Sequence, residues 1–119
     1  MMEILKSEQL IPFALRQNVS LSEAEAAMLL GYMEGHDYVL LADDQGQMVR
    51  HDLQMGNDHS KDDPYTIEDA VCFAAEMNED ILRDTESKWE TDEGYLSGLR
   101  RDDRMLTALL ERLHQNTYG

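Results

Sequence analysis

Six carboxylates fall within fifteen residues at helical spacing: Glu76, Glu79, Asp80, Asp84, Glu86 and Glu90. Helix positions four apart stand about 6 Å from one another. Glu76-Asp80-Asp84 and Glu86-Glu90 are therefore short rows of negative charge, pitched much like successive phosphates along a nucleic-acid strand. Such rows support two kinds of chemistry. They can steer and orient a basic protein surface, or they can occupy a channel built for a phosphate backbone. The second reading describes a nucleic-acid mimic that inhibits a DNA-handling protein.

Two His-Asp doublets form the next chemically capable set: His36-Asp37 and His51-Asp52, with Asn57, Asp58, His59, Asp62 and Asp63 following. Neutral imidazole and carboxylate suit zinc, manganese or iron once the fold gathers them. The doublet resembles the metal-binding His-Asp pair of HD-type phosphohydrolases. That family sets its ligands on several long helices, whereas these doublets flank strands. Solvated residues at strand ends are the simpler reading, so the sequence assigns no metal and no cofactor. A His/Asp metal-binding protein remains the third functional reading. Calcium is rejected: neither "DDQGQMVRHDLQ" nor "NDHSKDDPYTIE" has the glycine at position six and glutamate at position twelve of an EF-hand loop.

Cys72 is the single cysteine. A reactive thiolate needs a base and an electropositive setting, and Glu68, Asp69 and Glu76 supply the reverse. The reading is a buried structural cysteine. There is no nucleophile elbow, phosphate-binding glycine loop or dinucleotide fingerprint. The chain reads as not an enzyme.

The elements that position these residues follow from pattern. A first helix covers about Ser7 to Arg16, with Pro12 implying a later start or a bend. "SLSE" supplies a capping box, Ser20 with Glu23, for a second helix from about Leu21 to Glu34. That helix is apolar nearly all round, the mark of a buried element, and Gly35 is placed to end it in a left-handed turn. A hairpin follows: Tyr38 to Ala42, a turn at Asp44-Gln45-Gly46, then Gln47 to Leu53. Tyr38, Leu40, Met48 and Val49 are expected to face the helices, and "QMGNDHSKDDP" to be a surface loop.

Thr66 caps a third helix with Asp69. This helix sets Ile67, Ala70, Val71, Ala74, Met77, Ile81, Leu82 and Trp89 against the acids. "AVCFAA" predicts that its first half is covered on more than one face. A last helix, about Tyr95 to His114, repeats Leu99, Leu106 and Leu113 at seven-residue spacing with Leu109 and Leu110 beside them. This stripe either closes the core or forms a homodimer seam. The fold class is α+β, a single helix-dominated domain over 1–119 in the order α-α-β-β-α-α.

The helix-helix-hairpin order of the first half resembles a winged helix. Its second helix would have to enter the major groove, yet it carries Glu23, Glu25 and Glu34 and no lysine or arginine. The net charge of −15 comes from 25 acidic and 10 basic residues. It repels phosphate backbones and anionic membranes alike. No apolar run reaches the roughly 20 residues that span a bilayer, and no signal peptide opens the chain. The sequence thus points to a cytoplasmic protein-interaction or regulatory module whose partner is a protein with a basic surface. No direct nucleic-acid binding and no membrane binding are expected. The alternative, the nucleic-acid mimic, resembles small antirestriction and anti-CRISPR proteins in charge and size.

Overall fold

The computed structural model describes residues 3–43, 45–58, 65–88 and 92–118. Asp44, His59, Asp62, Asp63, Trp89 and Glu90 therefore lie outside the described residues. The elements in order are β1 (Glu3–Ile4), α1 (Ser7–Arg16), α2 (Glu23–Gly35), β2 (Tyr38–Ala42), β3 (Met48–Asp52), β4 (Asn57–Asp58), α3 (Ile67–Ser87) and α4 (Glu93–Tyr118). The fold is α+β. The strands form one antiparallel sheet in chain order β1-β2-β3-β4. The predicted hairpin is its centre, and a two-residue strand on each edge corrects the predicted order.

β4 arises inside the segment predicted to be a loop. The Asp52 carboxylate accepts the amides of Gln54 and Met55, and the Gly56 amide donates to the Asp52 carbonyl. Gly56 holds φ at 71°, a left-handed turn position that glycine enters without strain.

α1 continues from Ser7 to Arg16 without a break, so Pro12 does not delay its start. Pro12 removes the amide that would serve the Glu8 carbonyl, but Leu10 and Ala14 are fully buried and hold the helix on the core. Asn18 ends it in the left-handed region at φ 63°. The cap of α2 is two residues later than predicted. Ser22, not Ser20, accepts the amide of Glu25, and the Glu25 carboxylate accepts the amide of Ser22. This register leaves Leu21 ahead of the cap and buried with Ala26, the arrangement of a hydrophobic staple. Gly35 is the last helical residue, so the left-handed position falls on Asp37 at φ 58° instead.

Strand parity sorts the sheet. Leu40 and Met48 are buried against the helices, with Tyr38 and Ala42 half-buried on the same face. Arg50 shares this face, its guanidinium 4.4 Å from the Tyr38 ring centre and 5.4 Å from that of Tyr65. Val49 pairs with Leu41 and so points to the outer face, contrary to its predicted inward orientation.

α3 opens on the predicted box: Thr66 accepts the Asp69 amide, and Asp69 accepts the Thr66 amide. Gln17, at the end of α1, adds a distant cap by accepting the Ile67 amide at 2.8 Å. Ile67, Ala70, Val71 and Ala74 are fully buried. From α4 the core takes Leu106, Leu109 and Leu113, with Leu110 half-buried against it.

Candidate functional site: an open groove between three helices

α2 is apolar around its circumference, yet only one face is covered. Ala26, Leu29 and Met33 are buried, whereas Ala24, Ala27, Gly31 and Gly35 are exposed. This corrects the expectation of a helix covered on every side. α4 reaches α2 through two side-chain bridges. The Arg112 guanidinium pairs with Glu25 and donates to the Ser20 carbonyl at 2.9 Å. The Tyr32 hydroxyl donates to Asp102 Oδ2 at 3.0 Å.

Alongside the second bridge lies an open groove of about 560 Å³ between α2, α3 and α4. Met28, Met77, Ile81, Leu99 and Met105 give it an apolar lining. Ala24, Ala27 and Gly31 form one wall, and Tyr95, Arg101 and Asp102 the other. Tyr95 is 54% exposed, a large ring left largely uncovered at the groove.

Tyr32 and Asp102 belong to a polar network reaching into the core. Asn78 is 1% exposed, and its amide nitrogen donates to the Tyr32 hydroxyl at 2.8 Å and to the Leu99 carbonyl at 3.0 Å. One amide thus ties all three helices together. Burial pushes the Tyr32 hydroxyl up to about 12; the Asn78 bond opposes the shift and Asp102 adds to it. Asp102 also has Arg101 Nη2 at 3.8 Å.

The described acids of the two rows sit on the exposed side of α3. Glu76, Glu79, Asp80, Asp84 and Glu86 are all exposed. The row is not uniformly free: Arg83 pairs with Glu79 at 2.9 Å and Lys88 with Asp84 at 3.2 Å. Such exposed pairs are worth less than about 1 kcal/mol each, so they trim the charge without removing it.

The leucine stripe is taken up by the chain's own fold: Leu99, Leu106, Leu109 and Leu113 are buried. Cys72 corrects its prediction, since it is exposed and not buried. It lies between the acids of α3, and its thiol is pushed up by desolvation and then by Glu68, Asp69 and Glu76. Phe73 beside it is half-buried, 5.5 Å from the ring centres of both His36 and Tyr38.

The pairing of β2 with β3 sets Tyr38 opposite Asp52, and the Leu53 amide donates to the Asp37 carbonyl. The His-Asp doublets are thus neighbours at one end of the hairpin, but their side chains turn to other partners. His36 packs against those rings, and Asp37 accepts from the Gln54 side chain. His51 Nδ1 lies 2.6 Å from Asp58 Oδ1 across β3 and β4, while Asp52 serves its turn. Among the described residues no three His, Cys, Asp or Glu side chains gather as metal ligands, and no helix is long and apolar enough to cross a membrane.

Sequence reasoning missed the groove, Asn78, Tyr32 and Asp102. One signal was present: Asn78 stands at an apolar register of α3, four residues after Ala74. Another was glycine inside two helices, at Gly31 and Gly98. No protein-family model, curated protein or solved structure matches the chain.

Proposed function

We propose that the chain is a protein-interaction module that holds its partner in the groove between α2, α3 and α4. The acids of α3 steer a basic partner surface toward it. The observation that carries this reading is the open apolar groove itself, which the chain leaves unfilled while burying Leu106, Leu109 and Leu113 in its core. Three of its lining residues are methionines, unbranched side chains that repack around different contours. The net charge of −15 raises the encounter rate with cationic partners. No catalytic step and no cofactor enter the proposal.

The test is affinity capture by the wild-type chain and by Gly31→Leu, which fills the groove from α2. A partner held by the wild type at physiological salt is expected to be lost by the variant. A second reading, the nucleic-acid mimic, is favoured by the exposed row of Glu76, Asp80 and Asp84. It predicts the opposite dependence. A DNA-binding partner would survive Gly31→Leu, be lost on charge reversal of Glu76 and Asp80, and be displaced by duplex DNA.

A further inference from the structure

Three glycines within helices leave open space where a Cβ would stand: Gly31 and Gly35 in α2, and Gly98 in α4. Glycine weakens a helix relative to alanine, and nothing in the chain's own packing requires it at these positions. Gly31 and Gly35 line the groove. Gly98 does not itself line the groove, but it stands on α4 between two residues that do, three after Tyr95 and four before Asp102. The α2 wall is cut back to backbone where a neighbour could lie against it.

The pitch of the cut identifies the neighbour. Ala27, Gly31 and Gly35 recur every four residues, so they form one smooth track along α2. A track on the four-residue row accepts the side-chain ridge of another helix at close range. A strand, with its two-residue repeat, does not match it. The groove beside the track is apolar and calls for an apolar stripe. Its rim is acidic on two sides. Asp80 and Asp84 stand three residues beyond Met77 and Ile81 on α3, and Glu34 three beyond Gly31 on α2, all exposed. On the third side, the Arg101 guanidinium lies 3.8 Å from Asp102.

We infer that the groove is the docking site for an amphipathic helix of a partner protein, with an apolar stripe flanked by lysine or arginine. This rests on the groove-binding function proposed above. A second copy of the chain is a poorer occupant, because it brings the same acids to the same rim.

The probe is a fluorescein-labelled leucine–lysine peptide of about 18 residues, enough for about five helical turns. Its leucines are spaced i, i+3, i+4 and i+7. Two controls are its scrambled sequence and a leucine–glutamate peptide of the same pattern. Anisotropy with the full chain is expected to show the patterned lysine peptide binding at least about tenfold more tightly than either control. Gly31→Leu and Gly98→Leu are each expected to weaken it about tenfold, with wild-type circular dichroism, since leucine is the better helix former. Gly31→Ala should raise the melting temperature while weakening the peptide.

Equal binding of the scrambled peptide overturns the inference, as does undiminished binding to both leucine variants. A doubled mass in light scattering that Gly31→Leu abolishes also overturns it, assigning the groove to a second copy. If Gly31→Leu loses the native partner but no peptide binds, the groove function stands and the helical occupant fails.

Discussion

Asn78 is the residue on which three helices depend. Its amide is buried, and burying such a group without partners costs about 1–3 kcal/mol. Here it donates to Tyr32 and to the Leu99 carbonyl. Asn78→Ala is therefore expected to lower unfolding free energy by about 1–3 kcal/mol in urea, because it removes both bonds and opens space in the core. Tyr32→Phe should cost less, about 1 kcal/mol, since Asn78 keeps Leu99 and half-buried Asp102 can turn to water. The double variant should lose less than the sum, as expected for residues in one network. Strict additivity would show that the bond contributes nothing.

The same hydroxyl sets a pH dependence. Tyr32 and Tyr65 are both pushed from 10.0 up to about 12, chiefly by burial. The folded state therefore holds these protons more tightly than the unfolded chain does. Their contribution to stability is complete below about pH 10 and lost as pH rises toward about 12. Absorbance titration should find Tyr32 and Tyr65 ionising late, together with loss of structure. Tyr32→Phe should remove one of them.

At the level of elements, local chemistry was legible where a single choice existed. Thr66 with Asp69 offers one capping box, and α3 begins there. "SLSEAE" offers two overlapping boxes, Ser20 with Glu23 and Ser22 with Glu25, and capping chemistry alone cannot choose between them. Burial of Leu21 decides it, and that burial is a tertiary fact. Ser22→Ala is therefore expected to cost about 1 kcal/mol and Ser20→Ala only a few tenths, measured by thermal or urea unfolding. Equal costs would return the cap to an ambiguous register. The hairpin was legible from its turn and its alternating strands. β1 and β4 were not, since two residues carry no period and exist only by pairing with the hairpin. The groove was hidden for a related reason. An all-apolar helix reads as covered, and whether its outer face is covered depends on how closely α4 approaches, which no local pattern of α2 records.

For the whole molecule, shape and charge act together. The Cα radius of gyration is 15.0 Å, against about 13.5 Å for a compact chain of this length. The extents are 48 × 38 × 24 Å. A flattened body with a net charge of −15 holds its exposed acids within mutual reach at low ionic strength, where the Debye length is about 30 Å at 0.01 M. Raising salt shortens that length to about 10 Å at 0.1 M and relieves the self-repulsion. It also weakens the surface pairs Glu79–Arg83 and Asp84–Lys88, but each contributes less than about 1 kcal/mol. Repulsion is the larger effect in a chain with 25 acids and 10 bases. The urea midpoint is thus expected to rise from about 0.01 M to about 0.1 M sodium chloride with an unchanged slope. Neutralising Glu76, Asp80 and Glu86 to their amides should flatten that rise while lifting the low-salt midpoint. A midpoint that falls with salt would mean that ion pairs outweigh repulsion. The acids of α3 would then be supports of the fold, no longer a charge held free for a partner.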